Sequence, residues 1–110
     1  MNLFNILKSQ TYKKAKEIWG VELQIDVLIE ELGELIVAIS HYKRGRGNKE
    51  EILEEIVDVT IMNEQIRYML KLSDCKFNTI MTEKLERTFR KLKEIENSYE
   101  KRHNNSNGES

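Results

Sequence analysis

The fold is decided by residues 21–42, which read VELQIDVLIEELGELIVAISHY. Apolar residues recur there every three or four positions, as on a helix that buries one face. The predicted buried stripe consists of Ile25, Leu28, Ile29, Leu32, Leu35, Ile36 and Ile39. Gly20 precedes the segment, and residues 43–48, which include two glycines and end on Asn, follow it as a loop. We therefore predict a long helix over residues 21–42.

Three further segments, about residues 3–19, 49–72 and 75–99, also show helical periodicity. The chain has no proline and only five glycines, which favours long, uninterrupted helices. The last helix is predicted to bury Phe77, Met81, Leu85, Phe89, Leu92 and Tyr99. We predict an all-α, four-helix bundle-like protomer that forms a single domain over residues 1–103. A disordered polar tail is predicted over residues 104–110.

The third predicted helix carries two apolar stripes on nearly opposite sides. The first consists of Ile52, Ile56, Val59, Met62, Ile66 and Leu70. The second consists of Leu53, Val57, Ile61 and Tyr68. A chain of 110 residues can hardly bury such a helix on both sides alone, so we predict that the second stripe is a subunit interface. The assembly would be a homodimer or a dimer of dimers, and the alternative is a helix at the centre of a monomeric bundle.

Composition argues against several classes of protein. Eighteen basic against nineteen acidic residues give a net charge of -1, which argues against a nucleic-acid polymer as partner. The single cysteine, Cys75, excludes an intrachain disulfide and a Cys-rich zinc site. No apolar run reaches the roughly 20 residues of a membrane span, and the first residues lack the layout of a signal peptide. We expect a cytoplasmic protein with no membrane partner.

Carboxylates stand in the middle of the second and third predicted helices, in two similar patterns. These are Glu30-Glu31-x-x-Glu34 and Glu54-Glu55-x-x-Asp58. At about 100° per residue, Glu55 lies only about 40° from the centre of the first apolar stripe. Because a buried, unpaired carboxylate costs several kcal/mol and neighbouring carboxylates repel one another, the pattern predicts a bound cation. Carboxylate oxygens suit Mg²⁺; the alternative for each group is a solvated helix face paired with Lys or Arg.

The spacing of the two patterns resembles that of the MazG-like all-α nucleoside triphosphate pyrophosphohydrolases. The family pattern is ExxE, a spacer of about twenty residues and ExxD, and it is matched by Glu31-x-x-Glu34 and Glu55-x-x-Asp58. The surrounding residues, 29–35 and 54–62, are similar to the two family motifs as well. The resemblance covers about residues 19–91.

Residues outside the two motifs add to the resemblance. Trp19 and Gln24 stand upstream as in small members of the family, and Gln65 occupies a position where those members often have Gln. Downstream, Lys84-x-x-Arg87 is similar to a K-x-x-R segment of the last family helix. Beside that segment the chain departs from many members, which carry an Asn and a later Arg after the Lys.

The resemblance implies Mg²⁺-dependent hydrolysis of normal or damaged (deoxy)nucleoside triphosphates to the monophosphate and pyrophosphate, with Mn²⁺ as a possible substitute. The implied metal ligands are Glu31, Glu34, Glu55 and Asp58. Glu30 and Glu54 would either support the metal ligands or act as the general base that takes a proton from the attacking water.

Cations of the last helix are the implied phosphate ligands. Lys84, Arg87 and Lys91 follow i, i+3, i+7 spacing and so line one flank of that helix. They could stabilise the negative charge of the phosphates. The alternative is a solvated basic stripe paired with Glu83 and Glu94.

Other polar and aromatic residues are candidates for contacts with the substrate. Trp19 could stack on a base, with a place in the core as the alternative. Gln24 could read a base edge. Lys43, Arg44 and Arg46 are interpreted as part of a solvated loop, with phosphate contact as the alternative.

A hypothesis of another class is a non-enzymatic helical oligomer, which acts as an interaction or scaffold module through its acidic face. Such a module needs a basic partner but no acid on the bundle side of the third helix. Glu55 is therefore the residue at which the two hypotheses differ.

Overall fold

The computed structural model describes residues 2–108. These residues are 88% helical without any strand, which confirms the all-α class. The helices are α1 (Leu3–Ile18), α2 (Val21–Lys43), α3 (Lys49–Met69) and α4 (Asp74–Gly108). The chain divides into two compact units, the first ending at Leu72 and the second beginning at Ser73. The single domain over residues 1–103 stays a prediction. Among the described residues, no helix combines the length and hydrophobicity of a membrane-spanning segment.

Side-chain caps begin three of the helices. Asn2 Oδ1 accepts a hydrogen bond from the backbone N–H of Asn5 at 2.8 Å, at the start of α1. Asn48 does the same for Glu51 at 2.9 Å, at the start of α3. At the start of α4, the hydroxyl of Ser73 accepts from the N–H three residues later at 3.1 Å. Each cap satisfies a backbone donor that has no partner within its helix, which fixes where the helix begins.

Two helix ends differ from the sequence-based expectation. The third helix ends at Met69, earlier than predicted, because the chain turns at Lys71 with a left-handed φ of 54°. The fourth helix continues to Gly108, whereas the sequence predicts disorder from residue 104. No proline or glycine stands in α4 before Gly108, so no helix breaker ends it sooner. The last two residues of the predicted tail lie outside the described residues.

The first unit is organised around the α2–α3 hairpin, whose register is visible in its polar side chains. Gln65 Nε2 donates a hydrogen bond to Gln24 Oε1, and both side chains are only 3% exposed. Nearer the connecting loop, Glu34 of α2 meets Glu55 of α3. As the residue number rises along α2, the number of the contacting residue on α3 falls by the same amount. The two helices therefore run antiparallel, with polar residues at several levels of their contact.

The apolar core of this unit lies at the end of the hairpin farther from its loop. It consists of Ala15, Ile66 and Met69, against which Val21, Ile25 and Leu28 pack. Beside it, the buried Tyr12 donates a hydrogen bond to Glu64 at 2.6 Å, and Lys8 approaches the same carboxylate at 3.3 Å. These contacts fasten α1 to α3.

The buried face of α2 coincides with the predicted stripe only in part, because Ile25, Leu28 and Leu35 are half-buried and the other four members are exposed. Ile29 and Ile36 are 61% and 67% exposed, and Leu32 and Ile39 are exposed as well. The buried residues are Gln24 and Ala38, with the half-buried Glu31 midway between them. These three positions lie seven residues apart and share one side of the helix. The side that contacts α3 therefore has a carboxylate at its centre.

The two stripes of α3 differ in burial within the first unit. Of the first stripe, Met62 and Ile66 are buried, Ile52 and Val59 are half-buried, and the other members are exposed. The second stripe is exposed throughout: Leu53, Val57, Ile61 and Tyr68. The interface predicted for this stripe stays a prediction.

The second unit consists of α4, whose apolar stripe is exposed along its length. It includes Phe77, Met81, Leu85, Phe89, Leu92 and Tyr99, for which the sequence predicts burial. Contacts within α4 are local: Lys93 approaches Glu96 at 3.7 Å, and Tyr99 stacks on His103 with ring centroids 5.7 Å apart. A single amphipathic helix has no second surface within its own unit on which to bury such a stripe.

The buried pair of glutamines leads to a testable expectation about stability. We expect Gln65→Leu to destabilise the fold by about 1–3 kcal/mol, because it leaves the buried Gln24 amide without its partner. The double change to leucine at both positions should cost less than the two single changes together, because neither amide is then left unpaired. Urea unfolding of the four proteins of this cycle measures the coupling. Strictly additive effects would contradict the hydrogen bond.

Candidate functional site

Three carboxylates meet between α2 and α3. Glu31, Glu34 and Glu55 each offer one oxygen, and these atoms all lie within 4.8 Å of one another. Glu31 and Glu34 are one turn apart on α2 and therefore project to the same side. Glu55 faces them from α3. The hairpin register thus brings members of both acidic patterns together.

These carboxylates are only partly accessible to water. Glu31 and Glu55 are half-buried, and Glu34 is exposed. The Oε2 atoms of Glu31 and Glu55 are inaccessible to solvent and have no hydrogen-bond partner among the described residues. Buried oxygens of this kind are normally hydrogen-bonded in proteins, so two of them at one point indicate a place for a donor or a cation.

The environment of the cluster favours the protonated form of two of its members. Loss of hydration raises the pKa of both Glu31 and Glu55 above the ordinary value, and repulsion from Glu34 and Asp58 raises it further. A positive ion among these oxygens would remove the repulsion.

The donor set fits a hard divalent cation. All three members of the cluster supply carboxylate oxygen, the ligand that Mg²⁺ prefers, and the short distances between their oxygens would let one ion contact several of them. Asp58 is exposed and lies outside this group of three, although its charge acts on both half-buried members. Its role as a fourth ligand stays a prediction.

A groove adjoins the cluster along α2. It has a volume of about 630 Å³ and is lined by Glu30, Gly33, Glu34, Val37, Ala38, His41, Glu51 and Glu55. This volume is within the range of sites that bind small molecules. Of the two predicted bases, Glu30 lines the groove. Glu54 is exposed, and its charge adds to the rise in the pKa of Glu55.

The predicted substrate ligands occupy different parts of the fold. Lys84, Arg87 and Lys91 are exposed on α4, in the second unit. Trp19 caps the C-terminus of α1, is 58% exposed and lines a shallow pocket with Ile18. Its exposure leaves the ring accessible for stacking. The roles of these four residues stay predictions.

Gln24 lies inside the hairpin rather than at its surface. Its amide is buried against that of Gln65, and Met62 Sδ lies 3.8 Å from the same Gln65 nitrogen. The structure thus places Gln24 in a packing contact, and its role in reading a base edge stays a prediction. The pairing has a signal in the sequence. Gln24 lies seven residues before Glu31, and Gln65 lies seven residues after Asp58. In an antiparallel helix pair, equal offsets of this kind place the two glutamines opposite each other.

Sequence reasoning did not identify two other groups of residues. Tyr12, Glu64 and Lys8 form the polar contact between α1 and α3, and the hydrogen bond from Tyr12 lowers the pKa of Glu64. Their wide separation in the chain leaves no local pattern. His41 and Glu51 line the groove near the loop, where the antiparallel register alone indicates that they are neighbours.

No protein-family model matches this chain, and no curated protein and no solved structure matches it either. The resemblance to the MazG-like pyrophosphohydrolases therefore depends on the residues of the two acidic patterns and their surroundings. The function has to be argued from the chemistry of the carboxylates.

The carboxylate cluster predicts a response to divalent cations. Millimolar Mg²⁺ or Mn²⁺ should raise the Tm, because an ion bound only by the folded state relieves the repulsion among the carboxylates. At ten times its Kd, such an ion stabilises the fold by about 1.4 kcal/mol. Thermal melts in EDTA and in Mg²⁺ measure the shift, with Glu22→Gln, an exposed carboxylate at the start of α2, as control. An unchanged Tm, with or without nucleotide, would count heavily against the site.

Proposed function

We propose that the protein is a cytoplasmic, Mg²⁺-dependent hydrolase that converts (deoxy)nucleoside triphosphates to the monophosphate and pyrophosphate. Such a reaction would clear unwanted nucleotides from the cellular pool. The observation that carries the proposal is the meeting of Glu31, Glu34 and Glu55 at the centre of a helix–helix contact. Like charges that face one another in a partly buried contact are unfavourable unless a cation or a function compensates. The family resemblance supplies the reaction class.

Within this proposal, Glu31, Glu34 and Glu55 hold the cation, joined by Asp58. When bound, Mg²⁺ supplies positive charge that offsets the negative charge of the phosphates. The two solvent-inaccessible Oε2 atoms support this assignment, because they have no other partner among the described residues. The register of the α2–α3 hairpin sets the spacing of these carboxylates.

The remaining acids would handle the attacking water. Glu30 lines the groove, and Glu54 is next to Glu55 in the sequence. Both carboxylates are therefore near the cluster, but neither belongs to the three that would hold the cation. Either could orient a water for in-line attack on phosphorus and accept its proton. Lys84, Arg87 and Lys91 are assigned to the phosphates, and Trp19 and Gln24 to the base, by the resemblance alone.

The proposal includes a four-helix bundle protomer and its assembly through α3 into a homodimer or a dimer of dimers. Support comes from the exposed apolar surface of the first unit. Leu53, Val57 and Ile61 follow one another at intervals of one turn and are all exposed. An apolar stripe of this length is the kind of surface that partner subunits cover.

Pyrophosphate release from a panel of (deoxy)nucleoside triphosphates tests the proposed reaction. In Mg²⁺ we expect turnover of at least one nucleotide, with the monophosphate as the second product, and no turnover in EDTA. Glu31→Gln should lose this activity while the matched control Glu22→Gln retains it. If no member of a broad panel is cleaved, and a basic peptide binds to the acidic face instead, the scaffold hypothesis replaces the enzyme.

A further inference from the structure

Two rows of apolar side chains are exposed, one in each unit of the chain. The members of the second stripe of α3, from Leu53 to Tyr68, are 44% to 60% exposed. The other row, which we call the α4 row, is 51% to 60% exposed and consists of Met81, Leu85, Phe89, Leu92 and Ile95. At about 1.5 Å per residue, the stripe is about 22 Å long and the α4 row about 21 Å. The two surfaces therefore match in length and in apolar character.

The second stripe continues into a groove between α1 and α3. The groove has a volume of about 460 Å³, and its apolar lining includes Phe4, Leu7, Val57 and Ile61. Two charged side chains also line it, Lys8 and Glu64, and these are paired with each other at 3.3 Å. The groove thus extends the apolar surface of α3 onto α1, and its chemistry suits apolar side chains better than a charged ligand.

The two surfaces carry opposite charge. Beside the second stripe, residues 50–58 contain no cation and five acids, which are Glu50, Glu51, Glu54, Glu55 and Asp58. Beside the α4 row, residues 84–93 contain one acid, Glu86, and five cations, which are Lys84, Arg87, Arg90, Lys91 and Lys93. At about 100° per residue, Glu50 and Glu54 lie within about 60° of the centre of the stripe. Lys84 and Lys91 directly precede Leu85 and Leu92 and flank the α4 row.

Charge determines which of these surfaces can meet. Contact between the second stripes of two copies would bring the acids of one copy toward the acids of the other. Contact between two α4 rows would bring cations toward cations. Like charges across an interface cost affinity, whereas opposite charges favour association. Each surface therefore fits the other surface better than it fits its own equivalent in a second copy.

We propose that the α4 row of a second copy covers the second stripe and the groove of the first, and that the first copy does the same for the second. The result is a symmetric dimer with two equivalent contacts. Lys84 and Lys91 of one copy then lie beside Glu50 and Glu54 of the other. The inference rests on the proposed assembly through α3 and adds which helix of the partner covers the stripe. It also supplies cations from a partner subunit to the helix that carries Glu55.

Charge reversal on each surface, alone and in a mixture, tests the contact in the full chain. Glu50→Lys/Glu54→Lys and Lys84→Glu/Lys91→Glu should each raise the Kd of the dimer at least tenfold, because like charges then face each other. An equimolar mixture of the two variants should regain a Kd close to that of the wild type, since both contacts of the mixed dimer again join opposite charges. Analytical ultracentrifugation measures the Kd, and native mass spectrometry identifies the mixed dimer.

A matched control makes the same change of charge on the other side of α4. Arg90 and Lys101 are exposed and lie about 160° to 180° from the centre of the α4 row. Arg90→Glu/Lys101→Glu should therefore keep the Kd within twofold of the wild type. All of the variants change exposed side chains, and circular dichroism verifies that they are folded.

The outcomes separate this inference from the proposed assembly and from the proposed reaction. If the wild type assembles but the charge reversals leave its Kd unchanged, or the control weakens it equally, another surface covers the stripe and the inference fails. If both variants dissociate and the mixture does not recover, whereas one chain with all four changes does, the contact lies within a chain and the inference also fails. Recovery in the mixture supports it, whether or not any nucleotide is cleaved, because the readout is mass and not turnover.

Discussion

Glu55→Gln should make the metal-free protein more stable and at the same time lower pyrophosphate release by at least about a hundredfold. The change keeps the shape of the side chain and removes its charge. Stability should rise because a half-buried carboxylate with a solvent-inaccessible oxygen no longer repels Glu34 and Asp58. Activity should fall because a ligand of the cation is lost. Opposite effects on stability and activity are typical of a functional site that conflicts with packing.

The same variant should change how stability depends on pH. Burial and the neighbouring acids raise the pKa of Glu55 above its ordinary value of 4.5, so the folded state holds the proton more tightly than the unfolded state. The stabilisation from that proton is complete below the unfolded pKa and is lost as the pH rises through the folded pKa. In EDTA, the stability of the wild type should therefore decline as the pH rises from about 4.5 toward neutrality, and Glu55→Gln should flatten the decline.

Melting in EDTA and turnover in Mg²⁺, measured on one preparation, decide the assignment. The matched control is Glu50→Gln, the same change at an exposed position on the same helix, and it should leave activity near the wild-type level. If Glu55 were a salt-bridged structural residue, its replacement would leave a cation unpaired and lower stability with little effect on turnover. A variant that is both less stable and fully active would refute the role of Glu55.

The helices themselves were predictable, because their caps and breakers are local. Gly20 and Gly45 have left-handed φ angles of 79° and 75° and bound the second helix on either side, as expected of glycine. The buried face on α2 was only partly predictable from periodicity: Ile25 and Leu28 of the predicted stripe pack against the core, whereas Ile29 and Ile36 are exposed. Periodicity marks all the apolar surface of a helix, but it cannot tell which part packs within the protomer. In the first unit the face around Gln24 and Ala38 is buried, and the more apolar face around Leu32 is exposed.

The candidate site was predictable to the extent that it depends on spacing. The two acidic patterns suggested that carboxylates meet, and the antiparallel register brings Glu31, Glu34 and Glu55 together. The groove could not be foreseen, because it arises where small residues, Gly33 and Ala38, leave space beside longer ones. Whether a small side chain opens a groove depends on which residues of the other helix face it, and these are known only once the register of the two helices is known.

The second large effect concerns assembly: the protein should not be a monomer, and charges on the second stripe of α3 should make it one. Leu53→Glu/Val57→Glu places two acids on the exposed apolar stripe, where contact with a partner subunit would have to strip them of water at a cost of several kcal/mol. Because both side chains are exposed in the protomer, the first unit should keep its helices.

Light scattering at micromolar concentration measures the effect on assembly, and circular dichroism checks that the variant is folded. The wild type should have a mass of two or four times the 13.1 kDa of one chain, whereas the double variant should shift toward the mass of a single chain. Asn63→Glu, which adds an acid at an exposed polar position of α3 outside the stripe, should assemble like the wild type. A wild-type mass of one chain would contradict the predicted interface. If the double variant stays assembled, subunits associate through another surface, of which the exposed face around Ile29 and Ile36 on α2 is the next to test.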